Sequence, residues 1–198
     1  MKDLYKLINE YKNCDLCSLK ELRIKKNAQI AFGQGCTTAR TLLIVPSPIY
    51  NTVYTPYGEG TEEYEGILKL WKEAGIEPAD IYIVPSYMCP KPSDPSLEHQ
   101  AIKACNSRLI KVLQILKPSI VLLSGNKAIE AFYGPTVGQK FYNKYGPLDH
   151  PSAEVFSIMD LSEYYAEKTT ANEIWIKENS IRILKHWKNV AQRIKTIS

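Results

Sequence analysis

Residues 117–125 read Lys117-Pro118-Ser119-Ile120-Val121-Leu122-Leu123-Ser124-Gly125. The proline stops whatever helix precedes it, four apolar residues follow without alternation, and a glycine ends the run. A continuous apolar run of strand length, bounded by turn residues, predicts a strand buried on both faces of a parallel sheet. Thr41-Leu42-Leu43-Ile44-Val45, stopped by Pro46, has the same character, as does Asp80-Ile81-Tyr82-Ile83-Val84, ended by Pro85. Glu154 to Met159 predicts a fourth strand. Helical stripes lie between and around these runs. They are Asp3 to Tyr11, Tyr64 to Ala74 with Gly75 as C-cap, Ser96 to Leu116 with Ser96 as N-cap, and Asn126 to Phe132. A terminal helix from Ile174 to Ile197 carries Ile181, Leu184, Trp187, Val190, Ala191 and Ile194 on one face. Strands alternating with helices predict an α/β fold, a three-layer αβα arrangement around a central, mainly parallel four-stranded sheet. One domain over 1–198 is expected. In such sheets ligands bind beyond the strand C-termini. Three loops should converge there: Pro46 to Gly60, Pro85 to Pro95, and Asp160 onward.

The chain has 198 residues, 44% hydrophobic and 23% charged. That is ordinary globular composition and excludes a disordered or collagen-like chain. No apolar run approaches the ~18 residues of a membrane span. The N-terminal residues lack the apolar stretch of a signal peptide, so a cytoplasmic protein is expected, with no membrane partner. A net charge of +4 permits nucleic-acid binding without demonstrating it. Five cysteines are an odd number, which argues against a disulfide framework and toward metal or reactive thiols.

Cys14-Asp15-Leu16-Cys17 is a pincer that can present two thiolates to one metal. Cys89, directly after the second strand, and Cys105, on the long helix, form a second pair with fifteen residues between them. Four thiolates suit either an iron–sulfur cluster or tetrahedral zinc. The bland reading is that some are buried core thiols. Cys36, beside Gly35, has no nearby thiol in sequence and reads as a bystander.

The chain resembles the family 4 uracil-DNA glycosylases, the iron–sulfur branch of their superfamily, over roughly residues 4 to 165. The resemblance rests on Cys14-x-x-Cys17 with Arg23 behind it, Phe32-Gly33-Gln34-Gly35 before the first strand, and Glu73-Ala74-Gly75-Ile76 leading into Ile81-Tyr82-Ile83. It continues through Cys89-Pro90-Lys91-Pro92, Cys105 and the 117–125 strand. It implies that Cys14, Cys17, Cys89 and Cys105 hold a [4Fe–4S] cluster, with zinc the lesser alternative. It also implies DNA as the ligand, with a base flipped into a pocket. A monomer is expected, with replication or repair proteins as further partners.

The catalytic positions of the family match less closely. Its first motif, Gly-Glu-x-Pro-Gly, falls on Pro46-Ser47-Pro48-Ile49-Tyr50-Asn51, which puts Ser47 at the acidic position. A serine hydroxyl can hold a water but cannot act as a carboxylate base. The family's stacking phenylalanine corresponds to Tyr57 in Pro56-Tyr57-Gly58. Its edge-reading asparagine falls on Pro85, which has no side-chain amide. Its last motif, His-Pro-Ser, has a literal match at His150-Pro151-Ser152. A second register takes Val137 to Tyr142 as the preceding hairpin and Val155 to Met159 as the strand, and places Asp160 at the histidine position. The Asp160 register is preferred because the apolar strand should precede the catalytic loop. His150 in its charged form would stabilise a departing base anion, whereas Asp160 would stabilise a cationic sugar or activate water.

Tyr50, Tyr54, Tyr57 and Tyr64 cluster in and after the first loop, where aromatic faces can stack on bases. For Tyr64 a packing role is preferred. Asn51 can bond a base or simply form a turn. Lys91, Asn126 and Lys127 stand near strand ends, where phosphates should pass, and Asn126 and Lys127 open a helix. Arg23-Ile24-Lys25-Lys26 reads equally as a phosphate contact or a solvated turn. His99 and His186 read as surface or packing residues. Tyr164, Tyr165 and Lys168 fall where the family has its DNA-wedging loop. Taken together, the expected function is hydrolysis of the N-glycosidic bond of a flipped-out uracil or modified pyrimidine. The alternative is a glycosylase-like scaffold that binds DNA or a replication or repair protein without cutting.

Overall fold

A computed structural model describes residues 2–48, 61–151, 153–160 and 173–197. The continuous apolar runs form the centre of a sheet: β2 (Thr41–Val45), β3 (Ile81–Pro85), β4 (Ile120–Ser124) and β6 (Glu154–Ile158). All are parallel, with Leu43 opposite both Ile83 and Leu122, and Leu122 opposite Phe156. Two short antiparallel strands close the edges, β1 (Gln34–Gly35) on β3 and β5 (Gly146–Leu148) on β6. The order is β1-β3-β2-β4-β6-β5. The expected four-stranded sheet is therefore the parallel core of a six-stranded one. The edge strands escape a sequence reading because two or three residues with glycine or proline show no apolar period.

The helices are α1 (Lys2–Tyr11), α2 (Leu19–Lys25), α3 (Glu62–Ala74), α4 (Pro95–Leu116), α5 (Gly125–Tyr133), α6 (Pro135–Gly138) and α7 (Glu173–Ile197). Alternate side chains of each buried strand face opposite layers. Leu42, Ile44, Val84, Val121 and Leu123 pack with residues of α1, α4 and α5. Leu43, Val45, Ile83, Ile120 and Leu122 pack with Ile67 and Trp71 of α3 and with Ile183, Trp187 and Val190 of α7. These are the three layers expected. On α7, Ile181 is exposed and Ile183 is buried, so the inner face lies slightly round from the predicted one.

Local chemistry sets the helix ends. Thr61 caps α3, its hydroxyl accepting from the Tyr64 amide at 3.2 Å. Gly75 ends it at φ +80°, a left-handed position that suits glycine. The cap of α4 is Asp94 rather than Ser96. Its carboxylate accepts from the Ser96 amide at 2.8 Å, and Pro95 fills the first helical position, where no N–H is required. The stretch 137–142 is not a hairpin strand. It lies in α6 and a 3-10 turn, Gln139–Phe141, and the hairpin preceding the site is β5–β6.

Trp187 is 1% exposed and lies 5.7 Å from the Trp71 ring, so this pair clamps α7 onto α3. Trp187→Ala should cost about 3–5 kcal/mol of stability in urea denaturation, and a loss below about 1 kcal/mol would mean that α7 is not part of the core. Burial, helped by Arg182 and Lys185, holds the neighbouring His186 imidazole below its ordinary value. The unfolded chain then takes up this proton first, so stability is complete above about pH 6.5 and declines as the pH falls below it. His186→Asn should flatten that acid limb of the urea midpoint, and an unchanged limb would contradict the assignment.

Candidate functional site at the strand C-termini

From β2 the chain crosses to β3 on one side, then returns past β2 to reach β4 on the other. The switch point lies between β2 and β4, and in sheets of this kind ligands bind in a crevice beyond the C-terminal ends at that point. Ser47 follows β2, half-buried, on this edge. Gly125 and Asn126 follow β4, and Asp160 follows β6.

Asp160 is 5% exposed. A Cβ placed on Gly125 would sit 2.9 Å from the Asp160 Cβ, and Gly125 itself has φ +74°. The strand-to-helix turn after β4 thus needs glycine twice over, for its backbone and to admit Asp160 against it. Beside this turn the Ser124 hydroxyl is fully buried and makes no hydrogen bond among the described residues.

His150 stands elsewhere. Glu154, the first residue of β6, pairs with Ile120, the first residue of β4. His150 precedes that end and lines a depression with Lys117, Pro118 and Ala153. Its ring lies 5.1 Å from Phe132 and 6.1 Å from Tyr133. His150 and Asp160 therefore occupy opposite ends of a five-residue strand, a rise of roughly 16 Å. Only Asp160 is on the crevice edge.

Pro85 is the last residue of β3, opposite Val45, and is buried. Having no N–H, it leaves the bond to the Val45 carbonyl to Ser86, whose amide and hydroxyl both donate to it, at 2.8 and 2.9 Å. Of the other predicted contacts, Lys91 is exposed. Lys127 pairs with Glu98, a buried carboxylate that also accepts from the Tyr87 hydroxyl at 2.7 Å. Asn126 is used to hold Asn143: its Nδ2 donates to Asn143 Oδ1 at 3.1 Å, and its Oδ1 accepts from the Asn143 amide at 2.9 Å. Both side chains are thus engaged in bracing α5. Tyr64 is partly buried against the core, as a packing residue should be. Tyr50, Asn51, Tyr54 and Tyr57, and likewise Tyr164, Tyr165 and Lys168, lie outside the described residues.

The cysteines gather on the α1–α4 face. Cys89 and Cys105 are buried, and Cys14 and Cys17 pack half-buried against the same apolar cluster. Burial and the neighbouring thiols of Cys105, Cys17 and Cys14 push the Cys89 thiol up to about 12, with the Arg23 guanidinium pulling against them. Cys105 is raised chiefly by burial and opposed by Arg108. Arg23 also donates to the Cys14 carbonyl at 3.0 Å. The donor set is all sulfur, the chemistry preferred by iron–sulfur clusters and by zinc. Among the described residues no three His, Cys, Asp or Glu side chains approach as a single-ion site. Cys36 packs against the same apolar cluster, but its thiol is bonded to the Thr38 hydroxyl at 3.0 Å, and that bond lowers its pKa.

Residues 32–192 match the family model described as the uracil DNA glycosylase superfamily. The chain belongs to that superfamily. Its members act on DNA, and the central sheet with helices on both faces is the superfamily's architecture. The match spans all four parallel strands together with Ser47, Pro85, Gly125 and Asp160, but begins after Cys14 and Cys17. No curated protein matches the chain. Among the described residues no helix is long and apolar enough to cross a membrane.

Sequence reasoning missed the Glu98–Lys127 pair, whose partners stand 29 residues apart. Removing one partner strands a buried charge. Lys127→Met should therefore cost about 1–3 kcal/mol in chemical denaturation, and adding Glu98→Gln should return part of it. A Lys127 that served only DNA would lose affinity with stability unchanged.

Proposed function

We infer that this superfamily member hydrolyses the N-glycosidic bond of a pyrimidine turned out of DNA, with Asp160 as its catalytic carboxylate. The observation that carries the reading is Asp160 itself, shielded from water, on the crevice edge and seated against the Gly125 turn. A carboxylate in such a place can offset the positive charge that builds on the sugar as the bond breaks, or take a proton from the attacking water. The Ser47 hydroxyl, two strands away and roughly 10 Å off by strand spacing, is suited to holding that water but not to deprotonating it.

The pocket lacks a side-chain amide at Pro85, so the bidentate reading of an unmodified uracil edge has no donor there. This favours a modified pyrimidine over plain uracil as the preferred substrate. The buried Ser124 hydroxyl is available to a polar substituent on the base.

The four cysteines are read as ligands of a [4Fe–4S] cluster. The all-thiol donor set supports this, as do three chain segments meeting in one apolar cluster and two arginines beside them. Bound there, the cluster would staple the segment after α1 to α4 and to the chain after β3. No proton or bond change is assigned to it.

The test is a panel of DNA oligonucleotides carrying uracil or modified pyrimidines, incubated with the chain and cleaved with alkali at abasic sites. At least one modified pyrimidine should be released. Asp160→Asn should slow release by about 10²–10⁴-fold, and His150→Ala should leave it within a few fold. Retained DNA binding with no abasic product on any substrate would instead make the chain a binding module. Full activity in Asp160→Asn would remove the carboxylate from the mechanism.

A further inference from the structure

Arg108 is completely buried. It stands three residues beyond Cys105 on α4, one turn along the same face. Its Nη2 donates to the Pro85 carbonyl at 2.6 Å and the Ser86 carbonyl at 3.4 Å, and its Nη1 to the Phe32 carbonyl at 3.4 Å. Its Nε is buried without a hydrogen-bond partner. Among the described residues no carboxylate pairs with it: the ion pairs there belong to Lys20, His99, Lys111, Lys127 and Arg193. The ionisable groups that bear on it are the thiols of Cys105 and Cys14 and the phenols of Tyr11 and Tyr82.

Carbonyl dipoles and the Phe32 ring, 5.7 Å from the guanidinium carbon, solvate such a charge only in part. A cation taken from water without a counter-charge is among the costliest features a core can hold. Arg23 repeats the pattern at the other end of the quartet. It donates to the Cys14 carbonyl, bears on Cys89, and has a buried Nε without a partner. The ionisable groups that bear on the two arginines are thiols and phenols, with no acid among these groups. A [4Fe–4S] core carrying two positive charges and held by four thiolates has a net charge of about −2. Two guanidiniums match it.

We propose that Arg108, with Arg23, is the counter-charge built into this chain for an anionic iron–sulfur centre on Cys14, Cys17, Cys89 and Cys105. The proposal rests on reading those cysteines as cluster ligands. It makes Arg108 and Arg23 positioning residues of the centre, holding its charge in the interior and raising its reduction potential. A cation beside the centre favours the added electron. The competing account is a clasp on three carbonyls with no electrostatic role.

The two accounts separate on the anaerobically prepared holoprotein, titrated with dithionite in the presence of mediators and followed by visible absorbance. Arg108→Lys keeps the charge and loses the planar fork, whereas Arg108→Gln keeps amide donors and loses the charge. The counter-charge account requires Arg108→Gln and Arg23→Gln to titrate at a more negative potential, and Arg108→Lys to stay near the parent. Where dithionite does not reduce the cluster, iron release to an anaerobic chelator should follow the same order, slow in the parent and the Lys variant and several-fold faster in the Gln variants. Should Arg108→Gln fail to fold, Arg23→Gln and Arg108→Lys carry the comparison. Iron-loaded Gln variants that match the parent in potential and iron release overturn the counter-charge and leave the cluster standing. A parent chain that takes up no iron on reconstitution overturns the cluster reading and this proposal with it.

Discussion

A positive charge held in the interior sets the terms for one whole face of this molecule. Arg108 reaches from the middle of α4 to three carbonyl oxygens, two at the end of β3 and one just before β1. Those bonds fix the chain after β3 against the helix. That chain carries Cys89, and the helix carries Cys105. The same contacts bring the Phe32 segment in beside them, and α1 closes over the group with Leu4, Leu7 and Tyr11 in the shared core. A guanidinium is a poor choice for a purely structural peg, because hydrocarbon of similar volume would pack there at lower cost. Its presence among thiols makes sense if the finished interior contains negative charge that the polypeptide alone does not supply.

The opposite constraint governs the crevice edge. There the difficulty is to bring a carboxylate out of water and keep it within reach of a ligand. The chain meets it with backbone rather than charge. Gly125 adopts a left-handed conformation and presents no side chain, and Asp160 fills the space that a Cβ would take. The neighbouring polar groups are committed elsewhere. Lys127 goes to Glu98, Asn126 to Asn143, and Ser86 to the Val45 carbonyl. Ser47 and Asp160 stand on the same edge, with the buried Ser124 hydroxyl, which makes no hydrogen bond among the described residues, beside them. The two faces of the design are connected through β3, whose end residue Pro85 accepts from Arg108 and borders the crevice.

Much of this was legible in the sequence, for an identifiable reason. A parallel strand covered on both faces must be apolar throughout, so Thr41–Val45, Ile81–Val84 and Ile120–Leu123 announce themselves without alternation. Gly75 and Pro118 mark helix ends because backbone geometry leaves few substitutes. The strand from Glu154 to Ile158 follows from the same rule, with Asp160 after its C-terminal end and His150 before its start. What could not be read depends on distant partners. A basic residue at position 108 of an amphipathic helix looks solvated until three carbonyls from other segments are found around it. Lys127 looks like a phosphate contact until Glu98 is placed opposite. β1 and β5 are too short to carry a pattern, and Asp94 and Ser96 offer equally good capping side chains until the fold shows the Asp94 carboxylate on the Ser96 amide.

The central claim is that the sulfur quartet holds several irons in the interior, with Arg108 and Arg23 answering the charge, behind a crevice that works on DNA. The most direct measurement is the iron K-edge X-ray absorption spectrum of the chain purified without air. The account predicts a first shell made only of sulfur and a second shell of iron around iron. A chain that holds a lone zinc in sulfur coordination, or no metal at all, would contradict it.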